Sequence, residues 1–151
     1  MKFPTPLIEG TLIKRYKRFL ADVRLADGAV VVAHCANSGS MLSVDTAGAD
    51  VWLSESTNPE RKLRYTWEMI RIGKTLVGIN TQHPNRLVEE AIRAETIREL
   101  AGYANLRREE RYGKDSRIEL LQEDPKRPPS YVEDKNVTMK RDLSPKAPVE
   151  F

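Results

Sequence analysis

Short apolar runs alternate with turn-forming residues over the first 80 positions, a pattern that predicts β-strands. Two pairs of runs each flank a turn that contains glycine: residues 19–25 and 29–33 around Asp27-Gly28, and residues 63–72 and 75–79 around Gly73-Lys74. Glycine reaches the positive φ angles of a two-residue hairpin turn, so both pairs are predicted hairpins. Residues 51–56 add a further strand. About five or six short strands favour a small closed barrel, and an OB-type barrel fits the size.

After residue 80 the spacing of apolar residues becomes helical. One face would carry Leu87, Val88, Ala91 and Ile92. The pattern predicts a helix over 84–101 that packs on a sheet, with Thr96 and Glu99 at capping-box spacing and Gly102 as its stop. Three strand candidates follow: residues 105–112, 116–121 and 130–137. The chain is therefore divided into a basic barrel, 1–80, and a helix with a small sheet, 81–151, that ends in a polar tail.

Composition narrows the class of protein. The 151 residues are 40% hydrophobic and 31% charged, as in a globular domain. No apolar run approaches the roughly 20 residues of a membrane helix, and the N-terminus lacks the apolar core of a signal peptide. Cys35 is the single cysteine, so no internal disulfide can form. These features predict a cytoplasmic protein without a membrane partner.

Positive charge is concentrated in the first half of the chain. Residues 1–80 hold 11 Lys and Arg against 8 Asp and Glu, whereas residues 81–151 hold 14 of each. Clustered cations suit a polyanion such as nucleic acid, so the barrel is predicted to contact its phosphates; the alternative is a solvated strand face. The predicted contacts are Arg15, Lys17, Arg18, Arg24 and Arg64. Tyr16 and Trp67 would either stack on bases or belong to the core.

The loop at 36–41, "ANSGSM", interrupts the strand pattern. Its turn-forming residues bring backbone N–H groups and hydroxyls together, which would hold a phosphate or a carboxylate; the alternative is a tight connection. His34 and Cys35 precede it, but two potential ligands without a nearby second pair make a weak metal motif.

Charged residues on two short strands form the chemical candidate. If 117–122 and 130–137 pair around a loop centred on Lys126, Glu119 faces Glu133, and Lys135 shares their face. Facing carboxylates repel, and Mg²⁺ would offset the repulsion while keeping waters for a substrate phosphate. Lys135 would orient or deprotonate a water. The alternative is that Lys135 and Arg117 neutralise two surface carboxylates.

Several motifs in order resemble the bacterial sugar fermentation stimulation protein A family. They include "FPTPLIEG", "RYKRFLADVRL", "ANSGSM" and "SRI-LL…YVE-KNVT", and they run nearly from end to end. The resemblance implies an α+β protein, with an OB-like β-barrel followed by a restriction-endonuclease-like α/β domain of the PD-(D/E)xK class. It implies DNA binding linked to the regulation of sugar utilisation. By the same resemblance, Glu119 and Glu133 would bind Mg²⁺ and Lys135 would assist the attacking water.

The chain departs from the family pattern at three acidic positions and in length. Glu119 stands where the family has Asp, Asp115 where it has Asn, and Asp134 where it has an apolar residue. By strand alternation Asp134 would lie beside Val132, away from the site. Family members continue past the "KNVT" strand, which predicts an incomplete nuclease-like domain here. Its apolar sheet face would be covered by a second copy or remain an aggregation hazard.

Two functions from different classes follow. The first is sequence-independent DNA binding through the barrel, and the alternative is a Mg²⁺-dependent phosphodiesterase that uses Glu119, Glu133 and Lys135. Hydrolysis ranks below binding, because Glu119 has a longer side chain than the family's Asp and because the expected C-terminal part of the nuclease-like domain is absent. A third reading is an unstable fragment without activity. No residue pattern indicates a sugar pocket.

Overall fold

The computed structural model describes residues 1–112 and 116–138. In that part the chain forms strands, one α-helix and one 3₁₀ turn. The barrel strands are β1 Ile8–Tyr16, β2 Leu20–Leu25, β3 Val30–Cys35, β4 Asp50–Glu55, β5 Tyr65–Ile72 and β6 Thr75–Gly78. They are followed by α1 Pro84–Arg93, the 3₁₀ turn Arg98–Leu100, β7 Asn105–Tyr112, β8 Ser116–Asp124 and β9 Arg127–Val132.

The first five strands close into a barrel. The sheet order is β3-β2-β1-β4-β5-β6, and an additional parallel pairing joins β3 to β5, with Ala33 opposite Tyr65. This pairing brings the two ends of the sheet together and removes both edges of the five-stranded part. The predicted small OB barrel is confirmed. Strand β1, for which the sequence analysis predicts no strand, lies between β2 and β4.

Alternation along the strands builds the barrel core. Leu12, Val23 and Leu53 are almost fully buried, and so are Trp67 and Ile70. On β2 the alternate residues are more exposed, as the two-residue period of a strand requires, whereas on β5 Thr66 and Glu68 on either side of Trp67 are also buried. The prediction left Trp67 open between base stacking and core; at 0% exposure it is a core residue.

The two predicted hairpins form, but their turns differ. Arg24 pairs with Val30, and Leu25 N–H donates to Ala29 at 2.8 Å, so the loop between β2 and β3 has three residues and not two. Only Gly28 in this loop has a positive φ, 85°, which fits a three-residue turn that ends in a left-handed residue. In the second hairpin Gly73 has a φ of 59°.

Helix α1 ends at Arg93, well before the predicted stop at Gly102. Glu95 adopts a left-handed conformation with a φ of 53°. Its N–H donates to Ile92, and the Thr96 N–H donates to Ala91 at 2.8 Å, the paired bonds of a Schellman motif. The prediction was wrong because this terminator usually carries glycine, and here it carries glutamate.

The second sheet is antiparallel, in the order β7-β8-β9. Strands β8 and β9 are joined by the two-residue turn Pro125-Lys126, shorter than the predicted loop. Pro128 and Pro129 lie inside β9, which is tolerated because β9 is an edge strand. Buried Gln122 donates from Nε2 to the Leu100 carbonyl at 2.8 Å and ties β8 to the 3₁₀ turn. Strand β9 ends at Val132, so its predicted extension to Val137 was wrong.

Two compact units contain these elements. One comprises Pro4–Asn80 together with Val137 and Thr138; the other comprises Met1–Phe3 and Thr81–Asn136. Within the described ranges, no helix has the length and apolarity needed to cross a membrane. Asp115 and most of the polar tail lie outside the described residues, and so does the side chain of Arg117.

Candidate functional site

Four of the five predicted phosphate contacts lie exposed on the barrel, and three of them, Lys17, Arg18 and Arg24, have no ion-pair partner in the described part of the chain. Lys17 and Arg18 form the turn between β1 and β2, and Arg24 lies on the outward side of β2, whose alternate residues Ala21 and Val23 are fully buried. Among the side chains that the structure describes, those of residues 1–108 and 119–138, these three cations have no ion-pair partner. Their charge is therefore available to an anion from solution.

Arg15 has a different role from the predicted one. It pairs with buried Ala21, so strand alternation turns its side chain toward the end of the barrel rather than the outer face. There its guanidinium donates to four backbone carbonyls, at 3.0 Å to Arg18, 2.9 Å to Asn37, 2.9 Å to Gly39 and 3.2 Å to Ser40. Four of its five N–H groups are used in this way, which makes Arg15 a structural brace.

Arg64 forms an ion pair with Glu55 across the start of β5 and the end of β4. The pair lines an open cleft of about 610 Å³, where Arg61 donates to the Thr66 hydroxyl at 3.0 Å. The Thr5 Oγ1 atom at this cleft is buried and has no hydrogen-bond partner among the described residues. Because Glu55 already neutralises Arg64, this cation has less charge to offer than Lys17 or Arg18.

Tyr16 lies half-buried at the end of β1. Lys14 Nζ lies 5.3 Å from its ring centre and 3.8 Å from the Asp22 carboxylate. A hydrogen bond to Asp22, burial and the negative charge of Asp22 raise the pKa of the Tyr16 hydroxyl. This arrangement fixes Tyr16 beside the exposed turn between β1 and β2.

The 36–41 loop is a connection held by its own groups. Buried Asn37 donates from Nδ2 to the Ile79 carbonyl at 2.9 Å and accepts from Gly39 N–H at 2.9 Å. The backbone carbonyls of three loop residues, Asn37, Gly39 and Ser40, accept hydrogen bonds from Arg15. The loop is therefore a tight connection, which is the alternative that the sequence left open. Burial raises the pKa of the Cys35 thiol, whose Sγ lies 3.6 Å from Met41 Sδ in the core. The weak metal interpretation of His34 and Cys35 gains no third ligand among the described residues.

The pairing assumed for the acidic hairpin is the observed one. Leu120 pairs with Val132, Leu121 with Tyr131 and Gln122 with Ser130. Continued by one residue, this register places Glu119 opposite Glu133, although β9 has ended by then. The register is confirmed up to Val132, and beyond it the chain leaves the strand.

Glu119 interacts with Asp134 at this hairpin. The Asp134 N–H donates to Glu119 Oε2. Burial, together with the charge and the hydrogen bond of Glu119, raises the pKa of the Asp134 carboxyl. Asn85 near the start of α1, with its amide nitrogen toward Asp134, donates to both carboxylate oxygens, at 3.2 Å to Oδ2. The prediction that Asp134 lies away from the site was wrong, because strand alternation does not continue past Val132.

Glu133 and Lys135 lie on the solvent side of the same segment. Lys135 Nζ is 3.2 Å from Glu133 Oε1, and the side chains are 72% and 67% exposed. Glu133 is still close enough for its charge to contribute to the raised pKa of Asp134. The structure thus forms two contacts, Glu119 with Asp134 and Glu133 with Lys135, where the sequence predicted one cluster of three.

The donor chemistry of this acidic site fits a hard divalent cation. Glu119 and Asp134 offer adjacent carboxylate oxygens, and Mg²⁺ is usually held by one or two protein carboxylates with waters completing its shell. No group of three His, Cys, Asp or Glu side chains arranged to hold a metal is found in the part of the chain that the structure describes. Any cation here would therefore keep most of its water ligands. The sequence analysis does not assign Asp134 or Asn85 to this site. The one sign of Asp134 in the sequence is its position between Glu133 and Lys135.

Two protein-family models match the chain in succession. The first, described as the SfsA N-terminal OB domain, matches residues 13–79. The second, described as the sugar fermentation stimulation protein RE domain, matches residues 82–149.

Curated relatives carry the same description. The sugar fermentation stimulation protein homolog of Rhodospirillum rubrum is 60% identical over 158 residues, which cover 100% of this chain and 64% of the relative. That of Maricaulis maris is 59% identical over 93% of this chain and 60% of the relative. That of Geobacter metallireducens is 56% identical over 99% of this chain and 66% of the relative. The chain thus spans less than two thirds of the length of these relatives.

A solved structure shares the fold. Pyrococcus furiosus SfsA, solved in complex with Ca²⁺, superposes with a TM-score of 0.75 at 25% sequence identity. The match covers 89% of this chain and 56% of the archaeal protein.

Proposed function

The chain belongs to the sugar fermentation stimulation protein family, and from its OB barrel and charge distribution we propose that it binds nucleic acid, DNA in the first place, through the barrel. The observation that carries the proposal is the set of three exposed cations without ion pairs in the described residues: Lys17, Arg18 and Arg24. OB barrels bind oligonucleotides on this part of the fold, at strands 2 and 3 and the loop between strands 1 and 2.

The chemistry of the proposed contact is electrostatic. Lysine and arginine neutralise phosphates and release condensed counterions, which gives affinity without reading the base sequence. No acidic partner among the described residues competes for these three side chains. Lys14 is less available because Asp22 lies 3.8 Å away. The contact is therefore sequence-independent and depends strongly on salt.

A salt titration tests this proposal. Binding of a fluorescein-labelled DNA, measured by anisotropy, should weaken with a linear slope of log K against log salt concentration. Three phosphate contacts correspond to a slope of about −2 to −3. Affinity that is absent at low salt, or that does not change with salt, would contradict the proposal.

A second candidate function is Mg²⁺-dependent phosphodiester hydrolysis at the acidic site. The Pyrococcus furiosus relative was solved with Ca²⁺, and the adjacent Glu119 and Asp134 carboxylates favour a cation here. We propose that Glu119 and Glu133 hold the cation with help from Asp134, as in a PD-(D/E)xK domain. Bound Mg²⁺ would supply Lewis-acid stabilisation of a phosphoryl oxygen. Lys135, close to Glu133, would orient or take a proton from the attacking water.

Hydrolysis ranks below binding because Lys135 faces solvent in this structure and Glu119 replaces the shorter aspartate. Nicking of supercoiled plasmid with Mg²⁺ or Mn²⁺ tests it. Activity should vanish in Lys135→Ala and remain in Lys126→Ala, a matched lysine in the β8–β9 turn. Equal activity in both variants would exclude Lys135 from the chemistry.

A further inference from the structure

The turn between β1 and β2 combines two cations with an exposed aromatic ring. This turn, called the hairpin tip below, consists of Lys17, Arg18 and Phe19. Phe19 is 46% exposed, whereas Trp67 of the same barrel is fully buried. Much of the Phe19 ring is therefore accessible to a ligand, directly beside two cations.

The backbone of the hairpin tip is strained. Lys17 has a φ of 47° and Arg18 a φ of 64°, a left-handed conformation that side chains other than glycine rarely adopt. Two consecutive residues of this kind persist only where the surrounding structure determines them. Backbone strain of this type concentrates at binding sites, where it fixes the presentation of side chains.

The barrel holds the hairpin tip in place from two sides. Arg15 Nε donates to the Arg18 carbonyl at 3.0 Å, and the same guanidinium binds the 37–40 segment. The Phe19 carbonyl accepts a hydrogen bond of 2.8 Å from the Cys35 N–H on β3. The tip is therefore preorganised, which reduces the ordering cost when a ligand binds.

We propose that the hairpin tip binds an unpaired nucleic-acid strand, with the Phe19 ring stacked on a base while Lys17 and Arg18 contact the flanking phosphates. This inference rests on the proposed function and adds the strand state of the ligand. Duplex DNA presents phosphates but keeps its base faces stacked inside the helix. Only an unpaired strand offers both groups that the tip can use, an anionic backbone and a free π-face.

The test compares the two strand states on the full chain. Anisotropy is measured at low salt with an oligothymidine of about 15 nucleotides, within the site sizes of single OB folds, and with a duplex of equal length. The variants are Phe19→Ala, Phe19→Trp and Phe19→Leu. The matched control is Leu76→Ala, which truncates an equally exposed apolar side chain on β6. Circular dichroism melting checks that each variant is folded.

The wild-type protein should bind the single strand more tightly than the duplex. Phe19→Ala should weaken single-strand binding about 5- to 150-fold, the range for loss of one base–aromatic stack, and change duplex binding less than about twofold. Phe19→Trp should retain the affinity, and Phe19→Leu should lose it because leucine has no π-face. Leu76→Ala should leave the affinity for both ligands unchanged.

Three results overturn the inference. Equal loss of single-strand and duplex binding in Phe19→Ala would give the ring a structural role only. Unchanged single-strand binding in that variant would show that the Phe19 ring does not stack on a base. Tighter binding of duplex than of single strand by the wild type would reject the preference for an unpaired strand, while the proposed nucleic-acid binding would still stand. Binding of neither ligand would instead reject the proposed function itself.

Discussion

Arg15 donates a hydrogen bond of 2.9 Å from Nη2 to the carbonyl oxygen of Asn37, 22 residues away in the chain. With its bonds to Arg18, Gly39 and Ser40, this guanidinium joins the hairpin tip to the 36–41 loop. A residue that belongs to a run of cations thus supports the surface on which the other cations lie. Its effect on binding is indirect, through the shape of that surface.

Removal of this brace should destabilise the barrel. Arg15→Ala should lower the free energy of unfolding by about 1–3 kcal/mol, because several charge-assisted hydrogen bonds are lost together. Arg15→Lys should retain only part of the lost free energy of unfolding, since an ammonium lacks the planar fork that reaches separate carbonyls. Urea unfolding curves measure both. The control Arg24→Ala removes a neighbouring exposed arginine and should change stability by less than about 0.5 kcal/mol.

Glycine at the helix terminator should stabilise the second unit. Glu95 is exposed and has a left-handed backbone, a conformation that costs about 1–2 kcal/mol in residues with a Cβ atom. Glu95→Gly should raise the free energy of unfolding by up to about 1 kcal/mol, with part of the gain offset by unfolded-state entropy. Thermal melting should show a higher midpoint for Glu95→Gly and none of that gain for Glu95→Ala.

Glu89 should make stability depend on pH in the acidic range. Burial alone would raise the pKa of this carboxyl, but hydrogen bonds and charge from Arg93 and Arg108 outweigh it and lower the pKa. The pair with Arg108 links α1 to β7, and within the helix Arg93 Nη2 lies 2.8 Å from Glu89 Oε1. A depressed pKa adds stability above the unfolded value, about 4.3, and this stability is lost as the pH falls through the folded pKa.

Glu89→Gln should therefore cost about 1 kcal/mol at neutral pH and nearly nothing well below pH ~4. Denaturant titrations at several pH values provide the comparison. Glu99→Gln in the 3₁₀ turn serves as the control. A cost for Glu89→Gln that stays constant through the acidic range would contradict the assigned ion pairs.

The acidic site should respond to divalent cations. Asp134 has a raised pKa, so as the pH rises above the unfolded value of about 3.9 its ionisation beside Glu119 reduces stability. A bound cation removes this repulsion. Millimolar Ca²⁺ or Mg²⁺ should raise the melting temperature of the wild type, by mass action on the folded state.

Glu119→Gln and Asp134→Asn should each abolish that shift. Asp134→Asn should also be more stable than the wild type at neutral pH without added cation, because the carboxylate repulsion is gone. Glu123→Gln, on the same strand but paired with Arg107 at 2.9 Å, should keep the full shift. A cation response that survives in Glu119→Gln would place the cation elsewhere.

Local rules predicted the parts of the structure that local interactions determine. Alternation and glycine turns located β2, β3, β5 and β6, and a loop centred on Lys126 gave the observed pairing of Leu120 with Val132. The length of α1 was missed because Glu95 occupies a position that usually signals itself by glycine. The direction of Asp134 was missed because alternation ends with the strand, and nothing in the sequence marks that end.

The role of Arg15 was missed for a related reason. Charge clustering treats neighbouring cations alike, whereas the barrel sends Arg15 inward and leaves Lys17 and Arg18 outside. Only the pairing of Arg15 with buried Ala21 reveals this difference. The strand pattern assigns Phe19 to β2, and its exposure depends on the position of the turn.

The central claim, nucleic-acid binding through the outward cations of the barrel, is tested most directly by the salt dependence of two variants with equal net charge. Lys17→Gln, Arg18→Gln and Arg24→Gln together remove the proposed contacts; Lys2→Gln, Lys62→Gln and Lys74→Gln together are the control. The first set should reduce the slope of log K against log salt concentration by about 2–3, and the control by less than about 1. The same slope for both sets would contradict the account.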